Sequence, residues 1–306
     1  MGLHRLAAIT IGVPNVEETA RYYVEFGLTR HADCFSTSGG GEQLRIVERP
    51  TRRLVELCIG ADDPDDLDRV ASRLEGLGIA SHRDGECVSA VEIHCGARAV
   101  VRVLPRDAPT PVNVAPYNRP RQVERRNERA PAVLRGDRVR PRKLGHVVVG
   151  TPESEASRRF FVDGFGFKVS DEVSGVAAFM RCSTDHHNLL LQRSPVAFLH
   201  HTSWQVDDVD EVGRGAMRML EGHPERHVWG LGRHFIGSNF FWYLRDPAGN
   251  FSEYYSDMDA ITDDQVWTPG TWEPSRSALY AWGPDVPPSM LEPEDLADLM
   301  AASHIA

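Results

Sequence analysis

Two stretches of the chain carry the same succession of apolar and polar positions. Leu6 to Pro14 (LAAITIGVP) is a short β-rich run followed by Asn15, with Glu18 three residues later. That is the pattern of a capping box opening a helix through about Phe26. Leu144 to Pro152 (LGHVVVGTP) has the same layout at an offset of 138 residues, and SEASRRFFVDGFGF follows it much as VEETARYYVEFGL follows the first. A second echo pairs DDPDDLDRVASRLEGLG, from Asp62, with DDVDEVGRGAMRMLEG, from Asp207. In both, an apolar β-type run leads into an acidic helix start, where Asp side chains cap free amides and favour the helix dipole. The order strand, helix, strands occurs twice in each half, which predicts a duplicated α+β architecture.

Between the copies, Pro105 to Lys143 is dense in proline (Pro116, Pro120, Pro131 and Pro141 among others) and in arginine (Arg125, Arg126, Arg138, Arg140, Arg142). Proline at that density argues against a continuous helix or an inner strand. The segment reads as a solvated linker or subunit contact, with a basic patch for an acidic partner as the alternative. The expected division is an N-terminal module with this linker, 1–136, and a C-terminal module, 137–306. The latter ends in an aromatic tail (Trp267, Trp272, Tyr280, Trp282) that either covers a site or packs on its own module or a neighbouring subunit, and a short amphipathic helix is expected from Glu292.

Bulk properties narrow the partners. With 34 basic against 44 acidic residues and a net charge of −10, the chain is not a general binder of nucleic acid or anionic membranes, whose surfaces would repel it. No run of 18 apolar residues suggests membrane insertion. Five cysteines without CxxC spacing indicate neither a disulfide framework nor a zinc ribbon, and fit a reducing cytoplasm.

The repeat supplies an internal control, because a residue present in one copy and absent from the other marks what the copies do differently. His146 falls opposite Ala8, and His201 falls opposite Val55. The third element lies in SNFFWYLRDPAGNFSEYYSD, where Asp246 to Asn250 reads as a hairpin turn between strands near 239–245 and 251–255. Glu253 sits mid-strand among aromatics, where a buried carboxylate needs a partner. A metal cation would supply one; an arginine such as Arg245, or a solvent-facing position, is the alternative. Two imidazoles and a carboxylate form the facial triad associated with non-haem Fe(II) oxygenases, although zinc and Mn(II) are chemically possible.

The set LGHVVVGTP (His146), TDHHNLLLQ (His187), FLHHTSWQV (His201) and GLGRHFIGSNFFWYLRDPAGNFSEYY (His234, Tyr243, Glu253) resembles the two-module type I extradiol dioxygenases of the vicinal oxygen chelate superfamily. The specific part is the spacing: 14 residues from His187 to His201, 9 from His234 to Tyr243, and 10 from Tyr243 to Glu253. The resemblance implies two βαβββ units per module, each pair forming an incomplete barrel, with iron in the C-terminal one only. It further implies His146, His201 and Glu253 as ligands of Fe(II), or of Mn(II), with His187, His234 and Tyr243 around them. His186 and His200 leave an ambiguity of one residue. Strand alternation sends neighbours to opposite faces, and the spacing selects His187 and His201.

The implied activity is ring cleavage beside the diol of a substituted catechol, with both atoms of O2 inserted. Tyr243 would hydrogen-bond a diol oxygen, His187 would act as acid or base, and His234 would stabilise charge on the substrate. In relatives acting on carboxylated catechols an arginine stands where this chain has Trp229. That points to an apolar or aromatic ring substituent, with Arg226 or Arg233 as replacement cations if the substrate is acidic. Members of the family assemble into tetramers or octamers, so a homo-oligomer is expected. A metal-dependent glyoxalase or epimerase and a metal-free binding protein of the same fold are the alternatives.

Overall fold

The computed structural model describes residues 2–108, 110–112 and 116–303. The first half contains two βαβββ units: β1 (Leu3–Val13), α1 (Val16–Glu25), β2 (Thr29–His31), β3 (Cys34–Ser36) and β4 (Glu42–Glu48), then β5 (Arg53–Ala61), α2 (Pro64–Gly76), β6 (Ser81–Asp84), β7 (Cys87–Glu92) and β8 (Ala97–Val103). Their strands form one open sheet in the order β2-β3-β4-β1-β5-β8-β7-β6. After the four-residue α3 (Pro131–Leu134), the plan recurs. β9 (Lys143–Thr151), α4 (Ser154–Arg159), β10 (Lys168–Val173), β11 (Ala177–Arg181) and β12 (Leu189–Arg193) are followed by β13 (Phe198–Gln205), α5 (Val209–Leu220), β14 (His227–His234), β15 (Phe240–Arg245) and β16 (Phe251–Ser256). The tail adds β17 (Gly270–Trp272), α6 (Arg276–Leu279), β18 (Tyr280–Trp282) and α7 (Leu296–Ser303). The second sheet runs β17-β10-β11-β12-β9-β13-β16-β15-β14-β18, so the tail contributes a strand to each of its edges. No helix among the described residues is long and apolar enough to cross a membrane.

Local chemistry explains the helix starts. Asp63 and Asp208 each accept a backbone N–H in the first turn of α2 and α5, as the acidic echo predicts. Asn15 does not cap α1. Its amide donates to Glu18 and to the Pro247 carbonyl while its Oδ1 accepts from Thr19, so the expected capping box is replaced by a contact with the second half. The face of α1 continues that contact. Tyr22 and Tyr23 bond Ser252 and Thr202, and Phe26 stacks on Tyr254 at 3.9 Å. Three linker arginines are likewise spent internally. Arg142 pairs with Asp207, Arg135 with Asp208, and Arg138 donates to the last carbonyls of α1.

The ladder pairing corrects the sequence alignment of the copies by one residue. Ala8 pairs with Cys58 on β5, and His146 with Ser203 on β13. Stepping along both ladders places His201 at the position of Glu56, not Val55. Val55 corresponds instead to His200, and both are the unpaired residue of a β-bulge. A sequence comparison carries no record of which residue drops out of a ladder, hence the slip. A second bulge leaves Gly145 unpaired, matching Ala7 in the first copy. Each imidazole singled out by the repeat thus directly follows a bulge, a feature that bends a strand and re-aims the next side chain. The two bulges are shared by both copies; the imidazoles that follow them are not.

Candidate active site

His146 from β9, His201 from β13 and Glu253 from β16 come from three adjacent strands, and one ligand atom of each lies within 4.8 Å of the others. His146 Nε2 is 3.3 Å from His201 Nε2 and 3.2 Å from Glu253 Oε2, which is 3.8 Å from His201 Nε2. All three side chains are buried. Ser203 and Asn239 donate to the two oxygens of Glu253, and neither was singled out in the sequence. Arg245 is not its partner but pairs with Glu294.

Burial would push the Glu253 carboxyl upward, yet the surrounding imidazoles of His146, His234 and His201 outweigh it and hold the group well below the usual carboxylate range. Burial drives His201 well below the ordinary histidine value, so its ring is neutral near pH 7. Two imidazoles, His201 among them neutral, facing a buried, ionised carboxylate are a donor set that fits a divalent cation. In the first half the matching positions are Ala8, Glu56 and Val100. There Glu56 is tied to Arg98 at 3.0 Å, and Arg98 also donates to Ser89, so the carboxylate at that position is engaged in a solvent-facing ion pair.

Glu253 is fixed by the turn that precedes it. Asp246 accepts from the backbone N–H groups of Ala248 and Asn250 and from the Asn250 amide, closing the β15–β16 hairpin and setting Tyr243 directly opposite Glu253. Gly145 serves the other side: a Cβ there would lie 2.1 Å from Tyr255 Oη.

His146 and His201 line a cavity of about 590 Å³ that also brings together His187, Trp229, His234 and Tyr243, and Glu253 faces the two imidazoles from just behind that wall. Tyr243 Oη lies 2.9 Å from His234 Nε2, while His234 Nδ1 bonds the Leu279 carbonyl of the tail. His234 closes β14 and is not a loop residue; Gly232 before it admits the Phe241 ring, which a Cβ would meet at 2.4 Å. Burial and the neighbouring Glu253 raise the Tyr243 phenol well above its usual value. Burial drives His187 well below the histidine norm. Trp229 stacks on Tyr243 and donates to Pro284 O.

Strand alternation does not separate the histidine doublets as expected. His187 precedes β12 and His200 sits in a bulge, so in each doublet the two Nδ1 atoms face one another, at 3.1 Å and 2.7 Å. The rest of the wall is mostly apolar, including Val148, Val173, Phe179, Leu190 and Ile236. Neither Arg226 nor Arg233 lines it; they pair with Glu25 and Asp257. The tail both packs on the sheet and walls the cavity, through Ala278 to Tyr280, Val286 and Met290.

Residues 143–254 match the model of the glyoxalase/bleomycin resistance protein/dioxygenase superfamily. The chain is 32% identical over 303 residues to metapyrocatechase 2 of Cupriavidus necator, covering 93% of this chain and 90% of that protein. It is 28% identical to a manganese-dependent 2,3-dihydroxybiphenyl 1,2-dioxygenase of Geobacillus genomosp. 3, over 49% of this chain and 51% of the other. Among solved structures, the fold resembles the Mn(II)-bound glyoxalase of Novosphingobium aromaticivorans (TM-score 0.73, 23% identity, 94% of both chains). It also resembles BphC, a halotolerant catechol dioxygenase (TM-score 0.72, 19% identity, 94% of this chain and 98% of that one). With sequence identity at this level sustained along nearly its whole length, the chain belongs to the extradiol dioxygenases of the glyoxalase/bleomycin resistance protein/dioxygenase superfamily, also known as the vicinal oxygen chelate superfamily.

Proposed function

We propose that this protein cleaves the ring of a catechol carrying an apolar or aromatic substituent, breaking the carbon–carbon bond beside the diol and incorporating both atoms of O2. The product is a muconic semialdehyde-type compound. The observation that carries this reading is the convergence of His146, His201 and Glu253, with the two imidazoles opening onto a largely apolar cavity that also holds His187, His234 and Tyr243. His146, His201 and Glu253 would hold Fe(II), with Mn(II) the second choice. Such an ion, once bound, would acidify the diol and bring catechol and O2 together.

The chain's own groups supply the rest. Tyr243, whose phenol stays protonated, donates a hydrogen bond to a diol oxygen, and His234 stabilises charge that builds there. His187, neutral at pH 7, takes a proton on its free ring nitrogen and returns it during cleavage. Trp229, Phe179 and Ile236 supply an apolar wall for the ring substituent. In this reading the chemistry belongs to residues 137–306 and residues 1–136 buttress it, in a cytoplasmic homo-oligomer of four or eight copies.

The test is anaerobic loading with Fe(II) or Mn(II), then exposure to air with a panel of catechols while following the yellow ring-fission product. Turnover with one metal only would identify the cofactor. A colourless outcome with every catechol, despite confirmed metal, would reject ring cleavage. His187→Phe should retain metal and lose at least about tenfold in kcat, within the usual range for a general acid–base group.

A further inference from the structure

Behind His187 lies a buried line of polar groups that the proposed chemistry does not use. His186 Nδ1 is 3.1 Å from His187 Nδ1, and its other nitrogen, Nε2, is 2.9 Å from Asp171 Oδ2 on β10. His186 is fully buried, its ring set between Phe179 and Trp267. Asp171 is nearly so, and its second oxygen accepts the backbone N–H of Gly270 on β17.

We infer that Asp171 is a positioning residue, which acts through His186 to hold His187 in its Nδ1–H tautomer with Nε2 bare toward the cavity. A carboxylate only accepts hydrogen bonds, so His186 must carry its proton on Nε2. The His186 Nδ1 lone pair then accepts from His187, which fixes the proton on His187 Nδ1 and leaves Nε2 as the base. Which nitrogen of an imidazole is available is set by the bond its other nitrogen makes. The Gly270 bond makes the device directional. It occupies one oxygen of Asp171 with a donor, so only the other faces His186.

This inference rests on the acid–base reading of His187, and one substitution separates the two. In Asp171→Asn the amide oxygen stays with the Gly270 N–H, so the NH2 group faces His186 and donates. His186 is then forced to Nδ1–H and His187 to Nε2–H, reversing the line. Asp171→Ala removes the acceptor without reversing it. The tautomers are read by long-range 1H–15N correlation on the full-length protein with 15N-labelled histidine, loaded with diamagnetic Zn(II). Kinetics and metal content are measured on the Fe(II) protein.

His187 should appear as Nδ1–H in the wild type, as Nε2–H in Asp171→Asn, and as a mixture in Asp171→Ala. Turnover should fall at least tenfold in the first variant and less in the second, with KM and metal content within about threefold of the wild type. A wild-type His187 protonated at Nε2, or one that does not respond to Asp171→Asn, overturns the inference. Reversal of the tautomer with unchanged kcat upholds the positioning and removes His187 from the chemistry instead.

Discussion

The Nδ1 atoms of His200 and His201 lie 2.7 Å apart, so one imidazole of this adjacent pair donates to the other. The direction follows from the far side of His200, whose Nε2 is 3.0 Å from the Met290 carbonyl and must donate to it. His200 Nδ1 therefore accepts, His201 carries its proton on Nδ1, and its Nε2 is left bare toward His146 and Glu253. Groups that orient a metal ligand from behind are worth about 10–100-fold in metal affinity. His200→Phe keeps an aromatic ring but removes the acceptor, and should weaken binding by that order in a competition titration against a chelator. His200→Gln, which can still accept, should lose less. Equal affinities for the wild type and the Phe variant would show that His201 needs no such support.

Buried neutral histidines make the metal-free protein acid-sensitive. Burial pulls His200 down to about 4, and drives His187 and His201 well below the histidine norm. The unfolded chain protonates near 6.5, so it takes up protons first as the pH falls. Stability from these groups is present above about 6.5 and is lost as the pH drops toward the folded values. Asp246 works in the opposite sense: burial raises it to about 6, so its contribution declines as the pH climbs from about 4 to 6. Three histidines against that carboxyl should leave a net loss on going from pH 7 to pH 5, read as a falling urea midpoint. His200→Gln should flatten the slope; a midpoint independent of pH would mean these rings are not held neutral.

Much of this site was legible in the chain because its parts are local. The repeat, the strand–helix order, the acidic caps Asp63 and Asp208 and the DPAGN turn each depend on neighbours in sequence, and the structure has them where the pattern places them. What escaped depends on pairing across strands. The bulges at Gly145 and His200 appear only in the ladders, and they account for both the one-residue misalignment with Val55 and the failure of simple alternation to part His200 from His201. Asp171, Ser203 and Asn239 carry no motif, since any short polar side chain in a strand or loop looks the same until its distant partner is known. Met290 and Leu279 act through backbone carbonyls, which the sequence cannot single out.

Substrate preference should follow the cavity wall and not the arginines near it in sequence. A carboxylate on the catechol ring would meet Val148, Val173, Phe179 and Ile236, while Arg226 and Arg233 are engaged with Glu25 and Asp257 and the lining Arg276 is engaged with Tyr280 and Asp285. Burying an uncompensated charge is costly enough that the site would exclude it or force its protonation. We expect kcat/KM for 3-alkyl or 3-phenyl catechols to exceed that for carboxylated ones by roughly a hundredfold or more, about 3 kcal/mol of discrimination. Arg226→Ala and Arg233→Ala should change either value less than twofold. A carboxylated catechol as the preferred substrate, lost on replacing either arginine, would reverse the assignment.

Gly145 tests whether the bulge before His146 matters as much as the imidazole itself. A methyl group there would lie 2.1 Å from Tyr255 Oη and 2.5 Å from two carbons of that ring, a fully buried aromatic with no room to retreat. The Gly145 carbonyl also accepts from Asn188, in the turn that carries His187, so displacing β9 disturbs two of the cavity's imidazoles together. Overpacking of this kind typically costs about 1–3 kcal/mol. Gly145→Ala should show that loss in chemical denaturation together with weakened metal binding, because His146 is carried on the displaced backbone. Ala7, the matching bulge residue of the first half, already bears a methyl group, so the requirement comes from the Tyr255 ring and not from the bulge. Gly145→Ala combined with Tyr255→Leu, which opens that space, should therefore recover more metal affinity than Tyr255→Leu alone would predict. Strict additivity of the two changes would place the strain elsewhere.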